Sequence, residues 1–280
     1  MGRIETGSKV AIVGGGPAGS FFALYLLKYA RELGIHPEIT IYEPRNLTNP
    51  GPPGCKGCAG ILSMAAFRNL DDLDLTLPEA IIQRRIEHYT VHSSLTSITI
   101  SKPEKDMQIA SIYRGGGPLI SHGINIAGFD DWLLEEAKKR GAKVQEERVD
   151  AIHLDEKARI AVAGRELEYD LLVLASGVNS APIKIIGLEY LAPKTRKMSQ
   201  DEIFISPDEE GSRLGNTAHA FLIPHSGVIF GTLVPKGSFV NVSVLSQGGH
   251  SISVKDFLKL DSVQPMLPGR YEHACGCRPK

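Results

Sequence analysis

The chain has 280 residues, of which 42% are hydrophobic and 22% are charged, and its formal net charge is −1 at pH 7. This composition is ordinary for a globular protein, and so balanced a charge excludes the general attraction to nucleic acid or acidic membranes that a strongly basic chain has. No apolar run approaches the roughly 20 residues that a transmembrane helix needs. Since the chain has only four cysteines and no apolar leader ahead of its first strand, we expect a cytoplasmic protein.

The first predicted elements are a strand, a glycine-rich turn, a helix and a second strand. A short apolar run, Lys9–Val13, predicts a buried parallel strand. The next residues, Gly14–Gly19, read GGGPAG and fit the pattern G-x-G-x-x-G. A helical pattern extends from there to Gly34, and residues 38–43 predict a second strand that ends on an acid. This order is typical of a dinucleotide-binding βαβ unit.

Each part of this unit has a physical role in holding a dinucleotide. We expect Gly14 to permit the tight turn, Gly16 to let a pyrophosphate approach the backbone, and Gly19 to allow close packing of helix and strand. The helix N-terminus offers unpaired N–H groups and a positive dipole end to the phosphates. Glu43 is positioned to accept hydrogen bonds from ribose hydroxyls, and it would repel the 2′-phosphate of NADP. The nucleotide-binding residues predicted here are Gly14, Gly16, Pro17, Ala18, Gly19 and Glu43.

The middle of the chain predicts a second helix and a group of strands. Residues 128–144 form the pattern of an amphipathic helix followed by a strand, with Leu133 and Leu134 on the buried face. Residues 147–180 then predict a short β-meander, which ends in an apolar strand and a small-residue turn at Ser176 and Gly177.

Two further regions predict antiparallel strands, residues 85–114 and residues 219–245. Turn residues interrupt the second region at 224–227 and at 235–237. Four apolar side chains of this region are candidates either for the wall of a substrate pocket or for ordinary core, and the residues alone leave both readings open. They are Phe221, Ile223, Ile229 and Phe230.

Three segments together point to a known family: VAIVGGGPAGS at residues 10–20, GFDDWLLEEAKKRGAKV at 128–144 and YDLLVLASGVNS at 169–180. As an ordered set they resemble the FAD-binding oxidoreductases of the aromatic-hydroxylase superfamily, and within it the geranylgeranyl reductase family. The resemblance implies an α/β fold with two parts. One is a Rossmann-like FAD-binding domain, a parallel sheet with a β-meander, and the other is an antiparallel β-sheet substrate domain.

The same resemblance implies domain boundaries and further FAD contacts. Val149 would bind the adenine through its backbone, and the turn of Ala175, Ser176 and Gly177 would pass close to the adenosine. The Gly-Asp motif of the family is not found before Lys280, so we expect the chain to lack the C-terminal part of the family. The expected FAD-binding domain comprises residues 1–84, 118–182 and 268–280, and the expected substrate domain comprises 85–117 and 183–267.

The four cysteines form two close pairs, Cys55 with Cys58 and Cys275 with Cys277. In one interpretation all four thiolates hold a metal ion or an iron–sulfur cluster, since a C-x-x-C turn directs both sulfurs to one side. In a second, Cys55 and Cys58 are a redox-active dithiol that exchanges electrons with the flavin. In a third, the cysteines are small packing residues in tight loops. The residues leave the three readings open.

The functional hypothesis that follows is an FAD-dependent oxidoreductase in which reduced flavin passes a hydride to a hydrophobic or unsaturated small molecule. The alternatives are a flavin monooxygenase of the same superfamily and an electron-transfer flavoprotein with a cysteine-bound metal or iron–sulfur cluster. NAD(P)H is a further hypothesis as electron donor, as is a redox partner. We expect no nucleic-acid partner and no transmembrane segment. The nine histidines form no ligand pattern, and no catalytic residue is assigned beyond the redox candidates Cys55 and Cys58.

Overall fold

The computed structural model describes residues 3–47, 58–102, 107–115, 127–155, 157–180, 182–196, 198–205, 214–223, 227–246, 252–267 and 269–274. The chain divides into two compact units, residues 1–49 with 127–194 and residues 50–126 with 195–280. This spatial division differs from the expected domains chiefly in residues 50–84 and 268–280, which it groups with the second unit. The domain boundaries therefore stay a prediction.

Secondary-structure elements are numbered in chain order. The described helices are α1 (Pro17–Glu32), α2 (Met64–Asp72), α3 (Phe129–Lys139) and α4 (Val254–Phe257). The described strands are β1 (Lys9–Val13), β2 (Glu38–Tyr42), β3 (Ile61–Leu62), β4 (Ile82–Arg85), β5 (His88–His92), β6 (Ser97–Ser101), β7 (Ala110–Ile112), β8 (Lys143–Gln145), β9 (Val149–Leu154), β10 (Ala158–Val162), β11 (Arg165–Tyr169), β12 (Leu171–Leu174), β13 (Lys184–Ile186), β14 (Met198–Ile205), β15 (Thr217–Phe221), β16 (Val228–Lys236), β17 (Phe239–Ser246) and β18 (Tyr271–His273).

A four-stranded parallel sheet with the order β12-β1-β2-β8 forms the centre of the first unit. Strand β1 lies inside it, and its last four residues are all buried. This explains why the strand is a continuous apolar run rather than an alternating one, since a central parallel strand is covered on both faces. The predicted strands at 9–13 and 38–43 are confirmed as β1 and β2.

Helices α1 and α3 also belong to the first unit and pack against each other. The small residues Gly19, Ser20 and Ala23 are buried on α1, which lets the helix approach its neighbours closely. In α3, acidic residues lie in the first turn and Lys138 and Lys139 in the last. Both sets of charges oppose the partial charges of the helix ends and so stabilise the helix by a few tenths of a kcal/mol or more.

The predicted β-meander forms a second sheet in the same unit, with the order β11-β10-β9-β13. Its first three strands pair antiparallel, while β13 runs parallel to β9. The inward-facing residues Ile152, Ile160 and Val162 pack with Val13 and Tyr42 in one hydrophobic cluster. The meander is thus anchored to the ends of β1 and β2, where the glycine-rich turn begins.

The second unit contains a seven-stranded sheet with the order β18-β14-β17-β16-β15-β5-β6. Neighbouring strands pair antiparallel except β15 and β5, which run parallel. The sheet is assembled from two separated stretches of sequence, as predicted. A three-stranded sheet, β3-β7-β4, completes the described strands of this unit.

The short helix α4 packs against one face of the seven-stranded sheet, at β14 and β17. Phe221 and Phe257 meet there edge to face, with ring centroids 5.6 Å apart, and Ile223 belongs to the same core. The structure therefore places Phe221 and Ile223 in the core, which was one of the two readings of these residues. Ile229 and Phe230 are half-buried.

The fold class expected from the sequence, a Rossmann-like parallel sheet with a meander and a separate, largely antiparallel sheet, is confirmed. Within the described part of the chain, no helix has both the length and the apolar character that crossing a bilayer requires.

Candidate functional site

The glycine-rich turn connects the end of β1 to the start of α1 in the first unit. Gly14 has φ +112°, a conformation that side chains other than glycine rarely adopt. A Cβ on Gly14 would lie 2.3 Å from the carbonyl oxygen of Ala175. The N–H of Gly14 donates to the carbonyl of Tyr42 at 2.9 Å, and the N–H of Ala175 donates to the carbonyl of Val13 at 2.8 Å. The structure thus brings two predicted site residues, Gly14 and Ala175, into direct contact.

Gly19 fixes how closely α1 approaches this turn. A Cβ at this position would lie 1.9 Å from the carbonyl oxygen of Gly14, so any larger residue would push the helix away. The buried Ser20 adds two bonds, from its Oγ to the carbonyl of Gly15 and from its N–H to the carbonyl of Gly16, each at 3.0 Å. Both bonds of Ser20 therefore stabilise the start of the helix.

Gly16 differs from its neighbours because space around it is open. It is the N-cap of α1, with extended backbone angles of −68° and −177°. Among the described residues, no atom apart from its chain neighbours lies within 4 Å of the position that its Cβ would occupy. Pro17 follows at the first helical position and has no N–H. The first N–H groups of a helix have no intrahelical carbonyl to bond, and here those of Ala18 and Gly19 stand at the positive end of the helix dipole. Open space beside such donors fits the diphosphate of a dinucleotide.

Glu43 follows β2 directly and is 2% exposed. Its Oε2 accepts hydrogen bonds from the N–H of Gly15 at 3.0 Å and from Nη2 of Arg45 at 3.0 Å. Its Oε1 accepts from the N–H of Arg45 at 3.1 Å and from Nε of Arg45 at 2.8 Å. Burial by itself would raise the pKa of Glu43, but the hydrogen bonds and charge of Arg45, with the N–H of Gly15, hold the pKa below its ordinary value.

Arg45 is a site residue that the sequence reasoning missed. It lies two positions beyond Glu43, and its guanidinium group forms a two-pronged ion pair with the carboxylate. The side chain of Arg45 is 49% exposed, whereas that of Glu43 is 3% exposed. An arginine so close to the acid at the end of a second Rossmann strand was the available signal, because such a residue lies near the ribose of a bound dinucleotide.

The other residues expected to contact the adenosine lie in the same unit. Val149, at the start of β9, is buried in the hydrophobic cluster that also contains Val13 and Tyr42. Gly177 has φ +80°, and among the described residues no atom apart from its chain neighbours lies within 4 Å of its Cβ position. Ser176 lies between it and Ala175, beyond the end of β12. The predicted set therefore lies in one unit, and the contacts of each member with a nucleotide stay predictions.

Cys55 and Cys58 belong to the second unit, and Cys58 is the one cysteine that falls within the described residues. Its Sγ accepts from Nη1 of Arg114 at 3.4 Å, and its carbonyl oxygen accepts from Nζ of Lys236 at 3.1 Å. Lys236 also pairs with Glu202, at 2.6 Å between Nζ and Oε1. Cys55, Cys275 and Cys277 lie outside the described residues. Among the residues that are described, no group of three or more His, Cys, Asp or Glu side chains is arranged to hold a metal ion.

Comparison with protein families finds one match that covers most of the chain. Residues 8–222 match the model of the pyridine nucleotide-disulphide oxidoreductase family. No curated protein sequence matches the chain.

Many solved structures match the chain, and three of them cover nearly all of it at low sequence identity. A geranylgeranyl bacteriochlorophyll reductase-like protein from Thermoplasma acidophilum has a TM-score of 0.66 and 17% identity, over 99% of this chain and 66% of its own. The p-nitrophenol 4-monooxygenase of Pseudomonas putida has a TM-score of 0.60 and 15% identity, over 98% of this chain and 68% of its own. The flavin-dependent halogenase BrvH of Brevundimonas sp. BAL3 has a TM-score of 0.62 and 14% identity, over 97% of this chain and 63% of its own.

These structures share the fold with the chain, which spans about two thirds of their length. The expected relation to geranylgeranyl reductase-like and aromatic-hydroxylase-like flavoproteins is thus confirmed as a shared fold.

Proposed function

We propose, from the premise that the chain belongs to the pyridine nucleotide-disulphide oxidoreductase family, that it binds FAD at the Gly14–Gly19 turn and reduces a hydrophobic or unsaturated small molecule. The family places it among FAD-dependent oxidoreductases. The choice of reaction and substrate within that group is the proposal.

One observation carries the FAD assignment: the open space at Gly16 beside the N-terminus of α1. The close contacts of Gly14 and Gly19 shape the turn, and the N–H groups of Ala18 and Gly19 are positioned to donate to a diphosphate. Val149 and the turn at 175–177 complete the proposed adenosine contacts. Bound FAD would supply hydride transfer, while the protein binds it, orients it and excludes water.

The choice of a reductase is supported by the segments that resemble the geranylgeranyl reductase family and by the reductase-like neighbour. The monooxygenase alternative is supported by the p-nitrophenol 4-monooxygenase neighbour. Because both share the same fold, the fold does not discriminate between them. The substrate and the electron donor, NAD(P)H or a redox partner, have to be identified by experiment.

The test begins with the absorption spectrum of the purified protein, which reports bound flavin. The protein is then reduced without oxygen and mixed with a geranylgeranyl lipid. A reductase returns the flavin to its oxidised spectrum and yields a lipid that has gained hydrogen, measured by mass spectrometry. A monooxygenase instead needs oxygen and yields a product that has gained an oxygen atom. A protein that retains no FAD, and binds none when FAD is added, would refute the proposal.

A second candidate function, electron transfer through a cysteine-bound metal or iron–sulfur cluster, is supported by the surroundings of Cys58. The N–H of Ala274 donates to the carbonyl of Glu202 at 2.8 Å, and the side chain of Glu202 is paired with Lys236, which also holds the carbonyl of Cys58. Cys58 and Ala274, the described residues at the edges of the two cysteine-bearing segments, thus each bond to one member of the Lys236–Glu202 pair. Cations beside Cys58 also suit a negatively charged thiolate cluster.

Metal and sulfide analysis of protein purified without oxygen tests this second candidate. We expect bound metal in the natural chain, with absorbance beyond the flavin bands, and loss of both in Cys58→Ser. Protein that contains flavin but neither metal nor sulfide would exclude the cluster and leave the dithiol and packing readings of the cysteines.

A further inference from the structure

The carboxylate of Glu43 has no acceptor position left for a sugar. Each of its two oxygens accepts two hydrogen bonds, from Gly15 and Arg45 on Oε2 and from two N–H groups of Arg45 on Oε1. An ionised carboxylate offers about four lone-pair positions in total. The residue expected to bind ribose hydroxyls is therefore saturated by the protein itself.

The four donors differ in how easily they can leave. The N–H groups of Gly15 and Arg45 belong to the backbone, and the first is fixed within the turn between β1 and α1. The guanidinium group of Arg45 is on a side chain that is 49% exposed, so that water can solvate it when it moves away. Its departure would open one acceptor position on each oxygen, where Nη2 and Nε now bind.

Two positions, one on each oxygen, match the two O–H donors of a ribose 2′,3′-diol. We propose that Arg45 competes with the ribose of the nucleotide for Glu43, so that the sugar binds only by displacing the guanidinium group. This inference depends on the proposed function, because it concerns the same nucleotide. It makes Arg45 a specificity-determining residue, which sets how much a free diol contributes to affinity.

The consequence is measurable as a ratio of two affinities. A nucleotide that lacks the diol, such as 2′,3′-dideoxyADP, leaves Arg45 in place, whereas ADP must displace it. The ratio of the two dissociation constants isolates the contribution of the diol, because both ligands carry the same diphosphate charge. Competition by Arg45 keeps the dissociation constant of 2′,3′-dideoxyADP close to that of ADP in the natural chain.

The experiment measures binding of ADP and 2′,3′-dideoxyADP to flavin-free protein by titration calorimetry. Arg45→Lys keeps the positive charge but cannot span both carboxylate oxygens, because an ammonium group lacks the planar fork. We expect its preference for ADP over the dideoxy nucleotide to exceed that of the natural chain by about threefold to tenfold, the net effect of one ordinary hydrogen bond. Arg45→Met, which removes every side-chain donor at this position, should increase the preference at least as much. The exposed Arg31→Lys is the matched control and should leave the ratio unchanged.

Thermal melting checks that each variant is folded, and FAD binding by fluorescence quenching gives a second reading. If neither Arg45 variant prefers ADP over 2′,3′-dideoxyADP more strongly than the natural chain does, the proposed competition is refuted. Weaker FAD binding by Arg45→Lys than by the natural chain would also refute it. If the natural chain bound neither ADP nor FAD, the proposed function itself would fail, and the inference with it. Binding of both ligands without a change in the ratio would refute the inference alone.

Discussion

Nζ of Lys236 lies 2.6 Å from Oε1 of Glu202, and the two side chains are only 7% and 2% exposed. The pair connects β16 to β14 across the intervening strand β17. Lys236 also donates to the carbonyl of Cys58, so the ammonium group has two partners. Burying two charges is costly unless each is paired and hydrogen-bonded, and this arrangement meets that condition while Lys236 also binds the backbone of Cys58.

The first prediction concerns this buried pair. Lys236→Met leaves the carboxylate of Glu202 buried without its cation, and we expect a loss of about 3–5 kcal/mol in the free energy of unfolding. The double variant Lys236→Met/Glu202→Leu removes both charges and should recover most of the loss. The exposed pair of Lys259 and Asp256 is the control, since Lys259→Met should change the free energy by less than about 1 kcal/mol. Urea denaturation measures all three, and a Lys236→Met variant as stable as the natural chain would contradict the argument.

The second prediction separates binding from folding within the glycine turn. Gly16→Ala places a methyl group in open space, so the melting temperature should stay the same while FAD affinity falls about tenfold or more, because the methyl group occupies the approach of the diphosphate. Gly19→Ala forces its Cβ against the carbonyl of Gly14 and should lower both stability and affinity. Melting curves and flavin fluorescence compare the two variants. Unchanged FAD affinity in Gly16→Ala would show that the diphosphate binds elsewhere.

The third prediction concerns pH and the histidine pair of the seven-stranded sheet. Nε2 of His92 and Nδ1 of His219 lie 2.9 Å apart, and among the described residues no hydrogen-bond partner reaches Nε2 of His219. Burial, followed by the influence of His92, lowers the pKa of His219 from 6.5 to about 4, and burial also lowers the pKa of His92.

Between pH 6.5 and about 4 the unfolded chain therefore binds more protons at His219 than the folded chain does. The free energy of unfolding should fall as the pH is lowered through this window, whereas above the window the stabilisation linked to His219 should be complete. His219→Phe removes one titrating group, so denaturation at a series of pH values should show a shallower dependence. An identical slope in the variant would mean that His219 is protonated equally in both states.

The fourth prediction concerns two tyrosines of the first unit. The hydroxyl oxygens of Tyr42 and Tyr169 lie 2.6 Å apart, and the rings meet edge to face. Burial, reinforced by the bond to Tyr169, raises the pKa of Tyr42. Tyr169→Phe leaves a buried hydroxyl without this partner and should cost about 1–3 kcal/mol. The double variant with Tyr42→Phe should cost less than the sum of the two single changes, as measured in a double-mutant cycle. Strict additivity would show that the hydroxyls are not coupled.

Local pattern was sufficient to predict the elements around the candidate site. The apolar run of β1, the glycine spacing and the acid after β2 each depend on residues close in sequence, and each has a direct physical meaning for backbone conformation or burial. The positive φ of Gly14 and the tight contact at Gly19 are therefore of the kind that a motif can predict. The contacts of these residues with a nucleotide stay predictions until a complex is measured.

The partners of charged and polar side chains could not be predicted from the sequence, because they depend on strand order and register. Lys236 and Glu202 are separated by 34 residues and face each other only because β14, β17 and β16 align in one sheet. His92 and His219 are 127 residues apart and meet because β5 and β15 pair in parallel. Even Arg45, two residues from Glu43, required the folded rotamer and the position of Gly15 to show that the carboxylate is saturated. Backbone geometry follows from neighbours along the chain, whereas the environment of a buried charge is set by groups that only folding brings within hydrogen-bonding distance.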